Sequence, residues 1–96
     1  MASGESGSRL LDDLLGEIVI ADLVSPYVCL GLLSRVDGFY FELSDADLHD
    51  LRDSTKNRET YIIDSVRFGI RRNRKRVLLR RDEVVAISRL QDVAES

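Results

Sequence analysis

Short apolar blocks separated by turn residues run along the chain, and two periodicities can be told apart in them. Leu10, Leu11, Leu14 and Leu15 follow Ser8 at helical spacing, with Asp12 and Asp13 near the positive end and Gly16 as a stop, so a helix of about two turns is expected there. Glu17–Val24 is rich in Ile and Val and predicts a first strand, closed by a Ser25-Pro26 turn. Tyr27–Asp37 predicts a longer second strand. Gly31 inside it weakens the strand unless the chain bends or meets another backbone there. Asp37-Gly38 is a hairpin signal. Phe39, Phe41 and Leu43 then alternate with Tyr40, Glu42 and Ser44, which predicts a third strand with Phe39 and Phe41 in the core.

Beyond it the period changes. Ser44 followed by Asp47 resembles a helix-capping box, and an acidic helix over Asp45–Asp53 is expected, with Leu48 and Leu51 on one face and His49 four residues after Asp45. The polar stretch Asp53–Asn57 breaks it. Tyr61, Ile62 and Val66 suggest a second helix ending at Gly69. The β-branched stretch Thr60–Ile63 competes as a strand, and helix is the preferred reading. Arg71–Lys75 is expected to be a basic turn, Val77–Leu79 a fourth strand, Arg81–Glu83 a tight connection and Val84–Ile87 a fifth strand running to Leu90. These elements add up to a mainly β fold with helices. The fold class expected is a small five-stranded, strongly bent barrel with a short N-terminal helix and a helical insert, about 45–75, between strands 3 and 4. A single domain over 9–90 is expected, with a disordered tail at 1–8 and a fraying tail at 91–96.

Composition narrows the chemistry. The 96 residues suit one domain, and 32% of them are charged, above the usual share of about 25%. One cysteine excludes an intramolecular disulfide framework and any cysteine-cluster metal site, so Cys29 reads as a small buried hydrophobe. The net charge of −3 hides an asymmetry: Arg67–Arg81 holds eight basic residues and no acid, whereas the rest carries 17 acids against 6 bases. Such a chain can bind a polyanion at one place or neutralise itself by contact between subunits. The opening MASGESGSR has neither a basic stretch nor an apolar core, and the apolar window Ile18–Leu33 is interrupted and too short to span a bilayer, so a cytoplasmic protein is expected.

Asp45, Asp47, Asp50 and Asp53 invite a calcium-loop reading. From Asp45, however, the position that needs Gly is Asp50 and the position that needs Glu is Lys56. His49 is the only His. No phosphate-cradling Gly loop or Ser nucleophile elbow is present. The sequence argues against an enzyme, and no metal, cofactor or small-molecule substrate is expected.

Three stretches carry a family resemblance. LLDDLLGEIVIADL resembles the N-terminal helix and first strand of Sm-like proteins, a family of RNA-associated rings. VCLGLLSRVDGFYFELSDA is similar to its first signature through Gly31 and Asp37. RVLLRRDEVVAI is similar to its second through Leu79, Arg80, Val84 and Ile87. Together they cover about 10–46 and 76–90. Three departures stand out: the hairpin lacks the family's base-reading Asn, Arg81 replaces the Gly of its Arg-Gly turn, and the connection from Ala46 to Arg76 is long. The resemblance implies an RNA-stacking role for Arg80 beside Arg81 and Asp37, with Tyr40 as a substitute stacking platform. Salt bridging of Arg80 to Asp37, and a subunit contact at Tyr40, are the competing readings.

Arg71, Arg72, Arg74, Lys75 and Arg76 can follow a phosphate backbone. They can equally form a solvated loop or pair with the acidic helix. The edge strands Arg76–Arg80 and Val84–Ile87 are expected to pair between subunits, because Val77, Leu79, Val85 and Ile87 are too apolar for bare edges. The reading that follows is a non-enzymatic homo-oligomeric binding module with weak single-stranded RNA binding. Its rivals are a structural or protein-interaction oligomer with no nucleic-acid role, and an accessory domain of a larger assembly.

Overall fold

The structure, a computed structural model, describes residues 9–53 and 55–93. Strands β1 (Ile18–Leu23), β2 (Tyr27–Val36), β3 (Tyr40–Asp50), β4 (Arg74–Arg80) and β5 (Val84–Arg89) form one bent antiparallel sheet in the order β4-β3-β2-β1-β5. Helix α1 (Arg58–Phe68) lies between β3 and β4. Short 3-10 turns occupy Leu51–Asp53, Arg81–Glu83 and Leu90–Asp92, and residues 9–12 are helical. β4 and β5 are the two edges, as the pattern predicts. The expected tail at 1–8 lies outside the described residues, as do residues 94–96, while Leu90–Asp92 is ordered into a turn.

Both faces of β1 and β2 are covered, which explains their unbroken apolar runs. Val19, Ala21, Cys29, Leu33, Phe41, Leu43, Ala46 and Leu79 form the inner core, with Leu11 and Leu14 packed against it. Leu10 and Leu15, expected on the same apolar face, are exposed. Ile20, Val28 and Leu30 face the other way and meet Tyr61 and Ile62 of α1. Leu30, Leu33 and Leu43 are fully buried, each contributing about 1.5–3 kcal/mol relative to exposure. Burial pushes the Cys29 thiol up to about 12, reinforced by the charge of Asp47, so it stays protonated.

The bend is made where β2 and β3 cross most closely. A Cβ on Gly31 would lie 2.9 Å from Ala46 Cβ. Opposite it, β3 carries an extra residue, and Asp45 takes φ 49. Such a bulge re-aims the strand without ending it.

That bulge overturns one expectation. Asp45–Asp50 is not an acidic helix but the second half of β3, paired with β2 through Leu30↔Asp47, Cys29↔Leu48, Val28↔His49 and Tyr27↔Asp50. Asp and His are poor strand formers, but the ladder supplied by β2 outweighs local propensity. The Asp45–His49 helical pair therefore does not exist. The insert is shorter than expected, covering 51–73, because β4 begins at Arg74 and takes Arg74 and Lys75 out of the expected turn.

Helix α1 forms as preferred. The Asn57 side chain accepts from Thr60 N at 2.8 Å, and Gly69, at φ 93, donates to Ser65 O at 3.0 Å to close the last turn. Arg58 pairs with Asp22 of β1 at 3.1 Å and pins the first turn. Val66 is off the buried face; Ser65 lies beside Tyr61 and Ile62 instead and donates to Tyr61 O. No described helix is long and apolar enough to cross a membrane.

Candidate nucleic-acid interface

The hairpin between β2 and β3 and the turn between β4 and β5 meet at one end of the sheet. Asp37 Oδ1 accepts from Phe39 N at 2.8 Å and Tyr40 N at 2.7 Å, which shapes the hairpin and holds the carboxyl below its usual range. Asp37 N donates to Tyr40 O, so the tip is Gly38-Phe39 and not Asp37-Gly38. Phe39 is consequently 77% exposed instead of core, whereas Phe41 is buried as expected. Arg81 N donates to Phe39 O at 2.8 Å, its guanidinium donates to Asp37 O, and that group lies 5.3 Å from the centre of the Phe41 ring. Arg81 thus fastens the two turns together; a Gly could keep the backbone bond to Phe39 but not the guanidinium contacts to Asp37 O and the Phe41 ring.

Around this clamp Gly38, Phe39, Tyr40, Arg80, Arg81 and Asp82 line an open depression. Tyr40 and Arg80 stand directly opposite each other on β3 and β4. Arg80 is exposed and pairs with Asp82 at 2.8 Å; it makes no bridge to Asp37. Two aromatic residues and two arginines, of which Arg81 is taken up by the clamp, therefore line a single surface site, the chemistry that stacks nucleobases. Phe39 is the member the sequence reading missed. Its signal was the Asp37 side chain, which can hold the two following amides and keep Phe39 out of the ladder.

The basic run continues from this depression along β4. Arg74, Lys75 and Arg76 are exposed, and about 20 Å of strand separates Arg74 from Arg80. Arg76 reaches Glu42 at 3.4 Å. Glu42 is enclosed on the sheet, receives two bonds from Arg35 at 2.7 and 2.9 Å, and accepts from Ser34. These bonds, those of Arg35 foremost, hold its carboxyl down at about 2. Asp50 is likewise held at about 2, chiefly by Arg52. A depressed folded-state value contributes stability above the unfolded value, and that contribution is lost as pH falls through the folded one. Stability should therefore decline from roughly pH 4.5 towards 2. Glu42→Gln should flatten that decline in acid-dependent denaturant melts.

The edge strands show their apolar residues differently from the expectation. Leu79 is buried in its own core, and Val77 and Ile87 pack against it, because the inner face of the bent sheet needs them. Among the named edge residues only Val85, 66% exposed, faces out, and Leu78, 59% exposed, joins it. The outward edges are thus less apolar than the sequence suggests, though each still presents an unpaired ladder.

Arg71 and Arg72 are not part of the hairpin depression. They line a second one, with Phe68, His49, Tyr61 and Asp47 among its other walls. Asn73, which the sequence reading passed over, builds its floor: its amide nitrogen donates to Asp47 at 2.8 Å, its oxygen accepts from Leu48 N at 3.0 Å, and its backbone N donates to Ala46 O. The Tyr61 hydroxyl also donates to Asp47, and burial together with that bond pushes the Tyr61 pKa up. His49 stacks on Tyr61 at 4.1 Å, and its Nε2 is enclosed with no hydrogen-bond partner, a state that typically costs about 1–3 kcal/mol.

No protein-family model matches the chain, and no curated protein does. Among solved structures it is similar to an Sm protein of Pyrococcus abyssii in complex with a uridine heptamer. The two share 19% identity and a TM-score of 0.58 over 84% of this chain and 93% of that one. The bent five-stranded sheet is an Sm-like fold, as the signature residues led us to expect.

Proposed function

We propose that this Sm-like fold works as a non-enzymatic homo-oligomeric module that binds single-stranded RNA weakly. The observation that carries the reading is the convergence of Phe39, Tyr40 and Arg80 in one depression, continued by exposed cations along β4. The similar Sm protein was solved with a uridine heptamer, which is consistent with a strand as ligand. The base-reading Asn of the family is absent here, so the expected mode is stacking plus phosphate contact, with little sequence preference. Oligomers are expected to form by pairing β4 of one copy with β5 of the next, a head-to-tail contact that can close into a ring.

Fluorescence anisotropy with short labelled oligonucleotides at low salt tests the reading. Binding should be micromolar or poorer and fall with salt at a log–log slope of roughly −0.7 per contacted phosphate. Arg80→Ala and Phe39→Ala should weaken it through lost stacking, and changing Arg74 and Lys75 together to Ala should flatten the slope. Light scattering of the same samples should show more than two copies per particle. One observation favours the rival reading of a protein-interaction oligomer: Arg35 and Arg76 are engaged by Glu42, Arg80 by Asp82 and Arg81 by Asp37. No RNA binding at about 50 µM protein, where such a charge-driven contact should register, would make that rival the better account.

A further inference from the structure

We propose that the insert builds a second binding site, a pocket for a nucleoside phosphate, between the C-terminal end of α1 and the outer half of β3. It uses none of the hairpin residues and stands whether or not these bind RNA. Three features converge on it. The first is Phe68, at the last position of α1 and 81% exposed, on the lip of the pocket. An aromatic ring left in solvent beside cations is a stacking platform, because every base presents a π-face.

The second is the pair Arg71 and Arg72. Gly69, in a backbone conformation that L side chains rarely adopt, reverses the chain after α1. Ile70 then packs on the outer core while the two arginines return to the same pocket as Phe68. Arg35, Arg52, Arg58, Arg76, Arg80 and Arg89 all make ion pairs. Among the described residues Arg71 and Arg72 make none, so their planar forks are available to a phosphate. The acids nearby do not compete for them: Asp64 is paired with Lys56, and Asp47 is engaged by Tyr61 and Asn73.

The third is the floor. His49 and Tyr61, their rings stacked at 4.1 Å, both line the pocket. A ligand with one flat ring and one phosphate matches these groups. A free nucleotide and one nucleotide of a strand share that chemistry.

Amide NMR titration of the full chain at low salt, with AMP, adenosine, inorganic phosphate and an end-blocked oligoadenylate as separate probes, tests the assignment. AMP should shift signals of 68–73 and His49 and bind more tightly than phosphate or adenosine alone. Phe68→Ala should weaken AMP by about fivefold or more, the scale of one lost stacking contact, and leave phosphate unchanged. Changing Arg71 and Arg72 together to Ala should remove both, whereas Arg80→Ala, in the other depression, should remove neither. All these side chains are exposed, so unchanged thermal melts should accompany the losses. AMP binding without oligonucleotide binding assigns a free nucleotide; oligonucleotide binding that Phe68→Ala weakens assigns a strand. Absence of shifts with every probe, AMP no tighter than phosphate, or indifference to Phe68→Ala would overturn the proposal.

Discussion

Gly31→Ala should destabilise the fold by about 1–3 kcal/mol, with Gly31→Val at the upper end of that range or beyond it. The added Cβ would sit 2.9 Å from Ala46 Cβ, 3.0 Å from Ala46 Cα and 3.1 Å from Ser44 O. Two of these three are backbone atoms that cannot swing away. They belong to the strand that bulges at Asp45, so relief requires opening the bend itself. Denaturant titration should show a lower midpoint at unchanged slope. Ala46→Gly in the Gly31→Ala background should restore part of the loss, because it removes the shortest contact and leaves the two backbone ones. A wild-type midpoint for Gly31→Ala would mean that the two strands do not approach this closely.

Ile62→Asp is expected to cost about 2–4 kcal/mol and to unfold the individual chain instead of only dissociating an oligomer. Ile62 is buried against Ile20, Val28 and Leu30 of its own sheet, so a carboxylate there would be placed among apolar side chains and out of water. Val66→Asp on the exposed side of α1 is the control and should change stability by no more than about 0.5 kcal/mol. Melting followed by circular dichroism, together with particle mass from light scattering, separates the outcomes. Dissociation with an intact fold would place the buried face of α1 between subunits.

Much of the architecture could be read from periodicity. β1 and β2 announced themselves as β-branched runs, and Gly31 inside β2 pointed to a bend or a close backbone approach, which is what Ala46 makes there. α1 followed from Tyr61, Ile62 and the Gly69 stop. The open edges followed from strand order once the two signatures had been matched. The failures have a common cause. Residues 45–50 read as helix because Asp, Ala, Leu and His carry no strand signal of their own; their extended shape comes from pairing with Tyr27–Leu30, about twenty residues earlier. Phe39 read as core because alternation was counted from it, while the Asp37 carboxylate holds it at the hairpin tip.

The candidate sites divide the same way. Sequence alone picked out Arg80, Tyr40 and the basic run, because charge clusters and signature positions are properties of the chain. It could not distribute them. Arg71 and Arg72 belong with Phe68 and His49, whereas Arg80 belongs with Phe39, because the reversal at Gly69 and the bonds of Asn73 to Ala46, Asp47 and Leu48 sort neighbouring residues onto different surfaces. Which faces are apolar, where the chain turns and where the cations accumulate were written locally, since each depends on a few consecutive residues. Which aromatic ring each cation meets, and that Arg76 and Arg81 are engaged by Glu42 and Asp37, was decided only by contacts between elements whose partners lie tens of residues apart.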